Sequence, residues 1–208
     1  MEIIYEDKSC VVVKKEQGVI CEDTCENSIP ALIRLEKGKD TFPVHRIDKV
    51  AGGAVLLAYS PSAADKLRNF GFDKEYLFIV CGVPAEKSGE YKDLLYHDTR
   101  TNKSFVVKKM RKGVREAVLR YEVIAVKDGY SLVKAKMLTG RTHQIRLQFS
   151  SRGTPLYGDR RYGGNGDSTA LWSYKLTFGR EDNKHTAISL PPAEIYPWSA
   201  FSEELSQL

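Results

Sequence analysis

Two short segments of the sequence hold residues whose types and spacing could do chemistry. Residues 45–48 (HRID) offer a lone carboxylate just before an apolar stretch, and residues 139–164 read TGRTHQIRLQFSSRGTPLYGDRRYGG. The second segment sets Arg141, His143 and Arg146 beside an apolar alternation and closes in a glycine-rich loop that carries further arginines. Together the two segments predict an acid held by a guanidinium on a surface that can bind a polyanion.

In order and spacing, these segments resemble the RluA-type RNA pseudouridine synthases. The family pattern is H-R-L-D, K-x-Y, T-G-R-T/S-H-Q-I/L-R and G-x-P-I/L-x-G-D-x-x-Y-G, and this chain has HRID, KEY, TGRTHQIR and GTPLYGDRRYGG. The first two motifs are followed by the apolar stretches GAVLLAYS and LFIVCG, and the resemblance covers nearly the whole chain. It implies an α+β fold with a mixed, largely antiparallel sheet, flanking helices and a central active-site cleft.

The resemblance also implies an isomerase that converts uridine in structured RNA, either tRNA or rRNA, to pseudouridine. The reaction breaks a carbon–nitrogen glycosidic bond, rotates the base and rejoins it through carbon, so we expect no cofactor and no metal. Two other functions stay open. The chain could be an inactive RNA-binding module of the same fold, or a hydrolase that uses Asp48 and His143 as an acid–base pair.

Three residues are the candidates for catalysis. A carboxylate can form a covalent intermediate and then leave, and by resemblance Asp48 is the family's catalytic aspartate. Tyr76 matches the family's active-site tyrosine. Without the resemblance, the sequence pattern would predict only an aromatic residue within a strand. Arg146 is the candidate cation that keeps a buried Asp48 charged; alternatively Arg141 pairs with the acid and Arg146 binds RNA phosphate.

The residues expected to bind the target nucleotide are Arg46, Arg141, His143, Ile145 and Leu171. Arg46 stands two positions before Asp48, so in an extended strand both would point to one face. Its guanidinium could fill the space that an extruded uridine leaves, or form a surface salt bridge. His143 is expected to make structural hydrogen bonds, while Ile145 and Leu171 would wall the uracil pocket or belong to the core.

Charge distribution is compatible with a nucleic-acid partner. The chain has 32 basic and 27 acidic residues, a net charge of +5, and its cations cluster near the candidate motifs. A charge run can also be a solvated face, but phosphate contacts supply most sequence-independent affinity for nucleic acid. The residues expected to contact RNA phosphates are Lys108, Lys109, Arg111, Arg152, Arg160 and Arg161.

Length and composition predict a single domain over residues 1–208. No apolar run reaches the roughly 18 residues of a membrane span, and neither a signal peptide nor a zinc-type cysteine spacing is present. We therefore expect a soluble, cytoplasmic monomer with no metal and no membrane association. Because the family pattern begins near Met1, we also expect no separate S4 RNA-binding domain.

The chain departs from the family pattern at three places. Residues 15–18 (KEQG) stand for the usual N-K-P-x-G, residues 50–53 (VAGG) for D-T-S-G, and residues 171–173 (LWS) for L-H-A. None of these departures removes a proposed catalytic side chain.

Local signals place the elements around the motifs. Ser28 and Gly38 bound one predicted helix, Ser60 and Gly71 bound another, and Asp128-Gly129 predicts a hairpin turn. Strands are expected at the start of the chain and within EYLFIVCG, LWSYKLTF and HTAISL, with helical turns at the end. Residues 142–153 fit a helix or a strand equally well, so periodicity leaves that segment open.

Overall fold

The computed structural model describes residues 1–208, which form two units: Met1–Glu75 with Trp172–Pro191, and Tyr76–Leu171 with Pro192–Leu208. The strands are β1 (Ile3–Glu6), β2 (Cys10–Lys15), β3 (Phe42–Pro43), β4 (Gly52–Ala58), β5 (Phe72–Cys81), β6 (Ser88–Asp98), β7 (Lys103–Val107), β8 (Val114–Lys127), β9 (Tyr130–Met137), β10 (Leu171–Arg180) and β11 (Asn183–Ile188). The helices are α1 (Ile29–Lys37), α2 (Pro61–Phe70), α3 (Gln144–Ser150) and α4 (Ser202–Ser206), with 3-10 turns at Arg160–Tyr162 and Trp198–Phe201.

The strands of the first unit follow the order β1-β2-β4-β10, with β11 beside β10 and β3 beside β4. β4 pairs in parallel with β10, while its pairings with β2 and β3 are antiparallel. Side chains alternate across a strand, so Leu56 joins the cluster that contains Leu67 of α2, and Leu57 joins the cluster that contains Ile33 of α1. The two helices therefore cover opposite faces, which explains why β4 is buried along its whole length.

The strands of the second unit follow the order β5-β9-β8-β6-β7. β8 pairs antiparallel with β9 and with β6, and β6 pairs antiparallel with β7. Leu147 of α3 packs with Leu95 of β6, Ala117 of β8 and Tyr162, so α3 lies against this part of the sheet. The predicted mixed, largely antiparallel sheet with few helices is confirmed.

Capping residues set the bounds of the two longer helices as predicted. The Ser28 hydroxyl accepts a hydrogen bond from the Ala31 amide at 3.3 Å, and α1 ends at Gly38 with φ +66°. α2 begins after Ser60 in the same way and ends at Gly71. A serine cap satisfies an amide that has no partner within the helix, and glycine adopts the left-handed conformation at low cost.

The predicted turn at Asp128-Gly129 joins β8 to β9. Both turn residues have positive φ, +51° and +78°, as a two-residue type I′ hairpin requires. The predicted C-terminal helical turns are also present, as the turn Trp198–Phe201 followed by α4.

The segment left open by periodicity is helical from Gln144 to Ser150. Residues 144–149 are all buried, so no solvent-facing side marks the helix in the sequence. Three strands, the two-residue β3 and the longer β6 and β7, are not predicted by the sequence patterns. In β6, charged residues such as Glu90 and Lys92 interrupt the apolar positions, and parts of both β6 and β7 face solvent.

Candidate active site

The HRID tetrad lies in the loop between β3 and β4 rather than in a strand. Strand alternation therefore does not decide which way Arg46 and Asp48 point. His45 anchors the loop to β4, since its Nε2 accepts a hydrogen bond from the Leu56 amide at 3.2 Å. Burial lowers the pKa of His45 to about 3, so at neutral pH its imidazole is an uncharged structural group.

A segment directly after β2 holds the main chain on either side of Asp48. The Gly18 amide donates to the Lys49 carbonyl at 2.8 Å, and the Gln17 side-chain amide donates to the Val50 carbonyl at 2.7 Å. The Cys21 thiol contacts both the amide and the carbonyl of Ile47 at 3.5 Å. These contacts fix the backbone of three residues within two positions of Asp48.

Lys15, at the end of β2, brings a buried cation to the same loop. Its side chain is fully buried, and its ammonium donates to the carbonyls of Glu16, Val19 and Lys49 at 3.0, 2.8 and 3.3 Å. Burial lowers the pKa of Lys15 to about 8, while nearby negative charges, including that of Asp48, partly offset this effect. Below pH 8 the ammonium thus contributes a positive charge in the neighbourhood of Asp48.

Arg46 is exposed and forms an ion pair with Glu22. Beside it is a cavity of about 350 Å³, whose lining includes Glu22, Asp23, Arg46 and Arg68. The surface salt bridge foreseen for Arg46 is present. Such an exposed pair is weak, so it would not prevent the guanidinium from moving onto a nucleotide.

In the second unit, Arg146 projects from α3 onto Asp159. Its Nε donates to one carboxylate oxygen at 2.6 Å and its Nη2 to the other at 2.8 Å, a bidentate pair in which both side chains are at least 95% buried. The guanidinium also lies 5.1 Å from the centre of the Tyr162 ring. Pairing of Arg146 with Asp48 remains a prediction.

A hydrogen-bond network ties this helix to strand β7. The Tyr162 hydroxyl lies 2.8 Å from Nδ1 of His143 and accepts a hydrogen bond from the Ser104 amide at 2.8 Å. The Ser104 hydroxyl in turn donates to the Thr142 carbonyl at 2.9 Å. His143 is buried and directly precedes the helix with φ +57°.

The other predicted site residues of this unit take different positions. Arg141 is exposed and donates from Nε to the Glu116 carbonyl at 2.8 Å. Ile145 and Leu171 are both 96% buried, and Tyr76 is buried in β5. Asp48 and Arg46 belong to the first unit, whereas Tyr76, Arg141, His143, Ile145, Arg146 and Leu171 belong to the second.

The predicted phosphate-binding residues divide into two groups. Lys108, Lys109 and Arg111 are exposed in the loop between β7 and β8, and Arg111 lies 5.4 Å from the centre of the Tyr96 ring. The cations of the second group already have partners in the chain. Arg152 forms a bidentate pair with Asp93, and the main-chain carbonyls of Gly166 and Asn102 accept hydrogen bonds from Arg160 and Arg161.

Three of the residues that build these arrangements were not singled out from the sequence. Asp159 and Tyr162 stand inside residues 158–164 (GDRRYGG), a motif that indicates both residues but not their partners. Lys15 continues the alternation of Val11 and Val13, whose side chains are buried on one face of β2. That alternation was a usable signal for a buried lysine.

No group of three or more His, Cys, Asp or Glu side chains is arranged to hold a metal ion, and all four cysteines are free. None of the helices has the length and apolar character needed to cross a membrane.

Comparison with known proteins gives matches over most of the chain. A family model described as RNA pseudouridylate synthase matches residues 9–151. An uncharacterized RNA pseudouridine synthase of Haemophilus influenzae is 28% identical over 92% of this chain and 88% of its own length. Ribosomal large subunit pseudouridine synthase D of Borreliella burgdorferi is 30% identical over 84% of this chain, but the match spans only 60% of that relative.

Solved structures share the fold. The human RNA pseudouridylate synthase domain containing 1 superposes with a TM-score of 0.78 at 20% identity, covering 96% of this chain and 86% of that one. At this identity the likeness speaks for the architecture alone.

Proposed function

The chain belongs to the RNA pseudouridine synthase family, and from that premise we propose that it isomerises uridine to pseudouridine in a structured RNA, either a tRNA or an rRNA. The bond between N1 of uracil and C1′ of ribose breaks, and a bond between C5 and C1′ forms. The hydrogen at C5 leaves as a proton and N1 gains one. Atoms and electrons balance without a co-substrate.

The observation that carries this proposal is the fixed main chain around Asp48. Hydrogen bonds from Gln17, Gly18 and Cys21 hold residues 47, 49 and 50, and they leave the Asp48 carboxylate on a rigid turn. We assign Asp48 the role of the carboxylate that acts on the nucleotide. The Lys15 ammonium adds a positive charge in the neighbourhood of this carboxylate.

Tyr76 and Arg146 complete the proposed catalytic group. We assign the Tyr76 ring to stacking on the uracil and its hydroxyl to orienting a proton. Arg146 would hold the Asp48 carboxylate, and the bidentate pair with Asp159 would set the direction of its guanidinium. In the alternative assignment, Arg141 pairs with the acid.

Around the reacting uridine, we propose that Arg46 enters the space which the extruded base leaves, while Ile145 and Leu171 line the uracil pocket. The exposed cations Lys108, Lys109 and Arg111 would bind RNA phosphates. Arg152, Arg160 and Arg161 would have to exchange their present partners to do the same, so we expect them to contribute less.

The test uses RNA tritiated at C5 of uridine, because the new bond at C5 must expel that hydrogen. The parent protein should release label into water at one equivalent per modified site, and the release should survive a chelator. Asp48→Asn should abolish release while leaving fold and RNA affinity intact, since the change is nearly isosteric and removes only the charge. Turnover by Asp48→Asn would remove this residue from the catalytic role.

The same assay separates the alternatives. A binding module would release nothing, and a glycosidic hydrolase would free uracil that still carries its label. Either outcome, obtained with an RNA that the protein demonstrably binds, would contradict the proposed isomerisation.

A further inference from the structure

One neighbouring side chain leaves no room for a Cβ atom at Gly52, the first residue of β4. A Cβ atom at this position would lie 2.1 Å from Cζ3 and 2.5 Å from Cε3 of the Trp172 ring. The φ of Gly52 lies outside the left-handed region, so the backbone itself would accept an alanine. The indole of Trp172 therefore occupies the space in which any other residue would place its side chain.

The Trp172 ring is held in that place. Trp172 pairs with Gly52 in the parallel register of β4 and β10, and its side chain is 98% buried. The indole Nε1 donates to the carbonyl of Ser189 at 3.0 Å and lies 3.2 Å from its hydroxyl. Displacement of the ring would break a buried hydrogen bond. The ring therefore holds its position against the backbone at Gly52.

The Trp172 ring lies at the end of the turn that carries Asp48. The Ala51 amide closes this turn by donating to the Asp48 carbonyl at 2.9 Å, and Gly52 follows at once. Gly53 has φ +106° and packs so closely on the next residue of β10 that a Cβ would lie 2.3 Å from the Ser173 carbonyl oxygen. The turn thus ends against two consecutive residues of β10, while the segment after β2 holds its other side.

From this geometry we propose that Trp172 is a positioning residue, which fixes the Asp48 turn by contact with Gly52. The inference rests on the proposed function of Asp48 and adds a determinant of its placement. Both positions are departures from the family pattern, which has serine where this chain has Gly52 and histidine where it has Trp172. A larger ring and a smaller partner together keep the space filled.

The test is a double-variant cycle in the tritium-release assay, run as single turnover at saturating RNA. Gly52→Ala should lower the rate about tenfold or more with RNA affinity unchanged, because the added methyl must displace the turn. Trp172→Ala should lower it less. The double variant Gly52→Ala/Trp172→Ala should be faster than Gly52→Ala alone, since the space for the methyl is restored. Gly52→Ser/Trp172→His should recover activity for the same reason.

Two matched controls separate positioning from general destabilisation. Gly89→Ala places a methyl in β6, where the nearest atom is 3.3 Å away, and should leave the rate unchanged. Trp198→His disturbs a buried tryptophan of the second unit and should lower thermal stability without lowering the rate at a temperature where the variant is folded. A parental rate in Gly52→Ala, or a double variant no faster than Gly52→Ala, would overturn the proposal.

Hydrogen exchange provides a readout that does not depend on activity. Amides of residues 45–53 should exchange faster in Gly52→Ala and return towards the parental rate in the double variant, while unchanged exchange in Gly52→Ala would count against positioning. If the parent releases no tritium, the proposed function fails, and the exchange measurement still decides whether Trp172 fixes this turn.

Discussion

At the scale of single residues, two buried charges, one in each unit, are stabilised in different ways. Main-chain carbonyls surround the Lys15 ammonium, and burial lowers its pKa to about 8. Arg146 instead has a full counter-charge, since its guanidinium makes two hydrogen bonds to Asp159. A buried ion pair is costly to break from one side, because the remaining charge is left without a partner.

We therefore expect Asp159→Asn to destabilise the protein by about 3 kcal/mol, the typical cost of leaving one partner of a buried pair uncompensated. Because Arg146 also loses its orientation, the single-turnover rate should fall. Urea unfolding and tritium release would measure the two effects. Asp167→Asn is the matched control in the same loop, since that carboxylate is fully exposed and its nearest cation, on Arg160, is 3.8 Å away. Equal behaviour of the two variants would contradict the role of the Arg146–Asp159 pair.

At the scale of elements, the loop between β7 and β8 is the strongest candidate for binding RNA backbone. Lys108, Lys109 and Lys112 are exposed and form no ion pair, in contrast to Arg152, which is neutralised by Asp93. The network through Ser104 and Tyr162 connects β7, just before this loop, to the segment that carries His143. A phosphate contact on this loop would thus lie next to a strand that is hydrogen-bonded to the segment around His143.

Neutralising this loop should weaken RNA binding and its dependence on salt. For Lys108→Gln/Lys109→Gln/Arg111→Gln, the slope of log affinity against log salt should decrease in magnitude by about 0.7 to 0.9 for each lost phosphate contact. The charge-matched control is Lys66→Gln/Arg180→Gln/Lys184→Gln, which changes exposed residues of the first unit. Filter binding or fluorescence titration at several salt concentrations provides the slopes. Identical slopes for both triple variants would mean that the RNA backbone contacts another surface.

At the scale of the whole molecule, stability should depend on pH through His45. Its folded-state pKa is about 3, whereas an unfolded histidine titrates near 6.5. Between these values the unfolded chain binds a proton that the folded chain does not, so stability is lost as the pH falls from 6.5 towards 3. The contribution of His45 is fully present only above pH 6.5.

The free energy of unfolding should accordingly fall less in His45→Gln than in the parent when the pH is lowered from 7 to 5. The difference should be about 2 kcal/mol, from roughly 1.4 kcal/mol per pH unit for one proton over the 1.5 units between pH 6.5 and 5. Urea unfolding at the two pH values measures this difference in unfolding free energy. His185→Gln is the control, because that ring is only partly buried. The same acid sensitivity in all three proteins would exclude His45 as its source.

A feature of the fold can be predicted from the sequence when the contacts that cause it join residues close together in the chain. Ser28 and Gly38 bound a helix through contacts within a few residues, so the sequence was sufficient to predict α1. The pair of Arg146 and Asp159 depends on the fold of the loop after α3, and the anchoring of the Asp48 loop by Gln17 joins residues 33 apart from each other. Motif spacing identified the chemically important residues, but their partners required the three-dimensional structure.

The contact between Gly52 and Trp172 also constrains the order of evolutionary change. If an ancestor had the family's serine and histidine at these positions, replacement of histidine by tryptophan first would have forced the ring into the serine side chain, because even a Cβ would lie 2.1 Å from it. Loss of the serine side chain first removes only two heavy atoms and creates no overlap. The change to glycine would then have preceded the change to tryptophan. As long as the tryptophan remains, a serine at position 52 would overlap its ring.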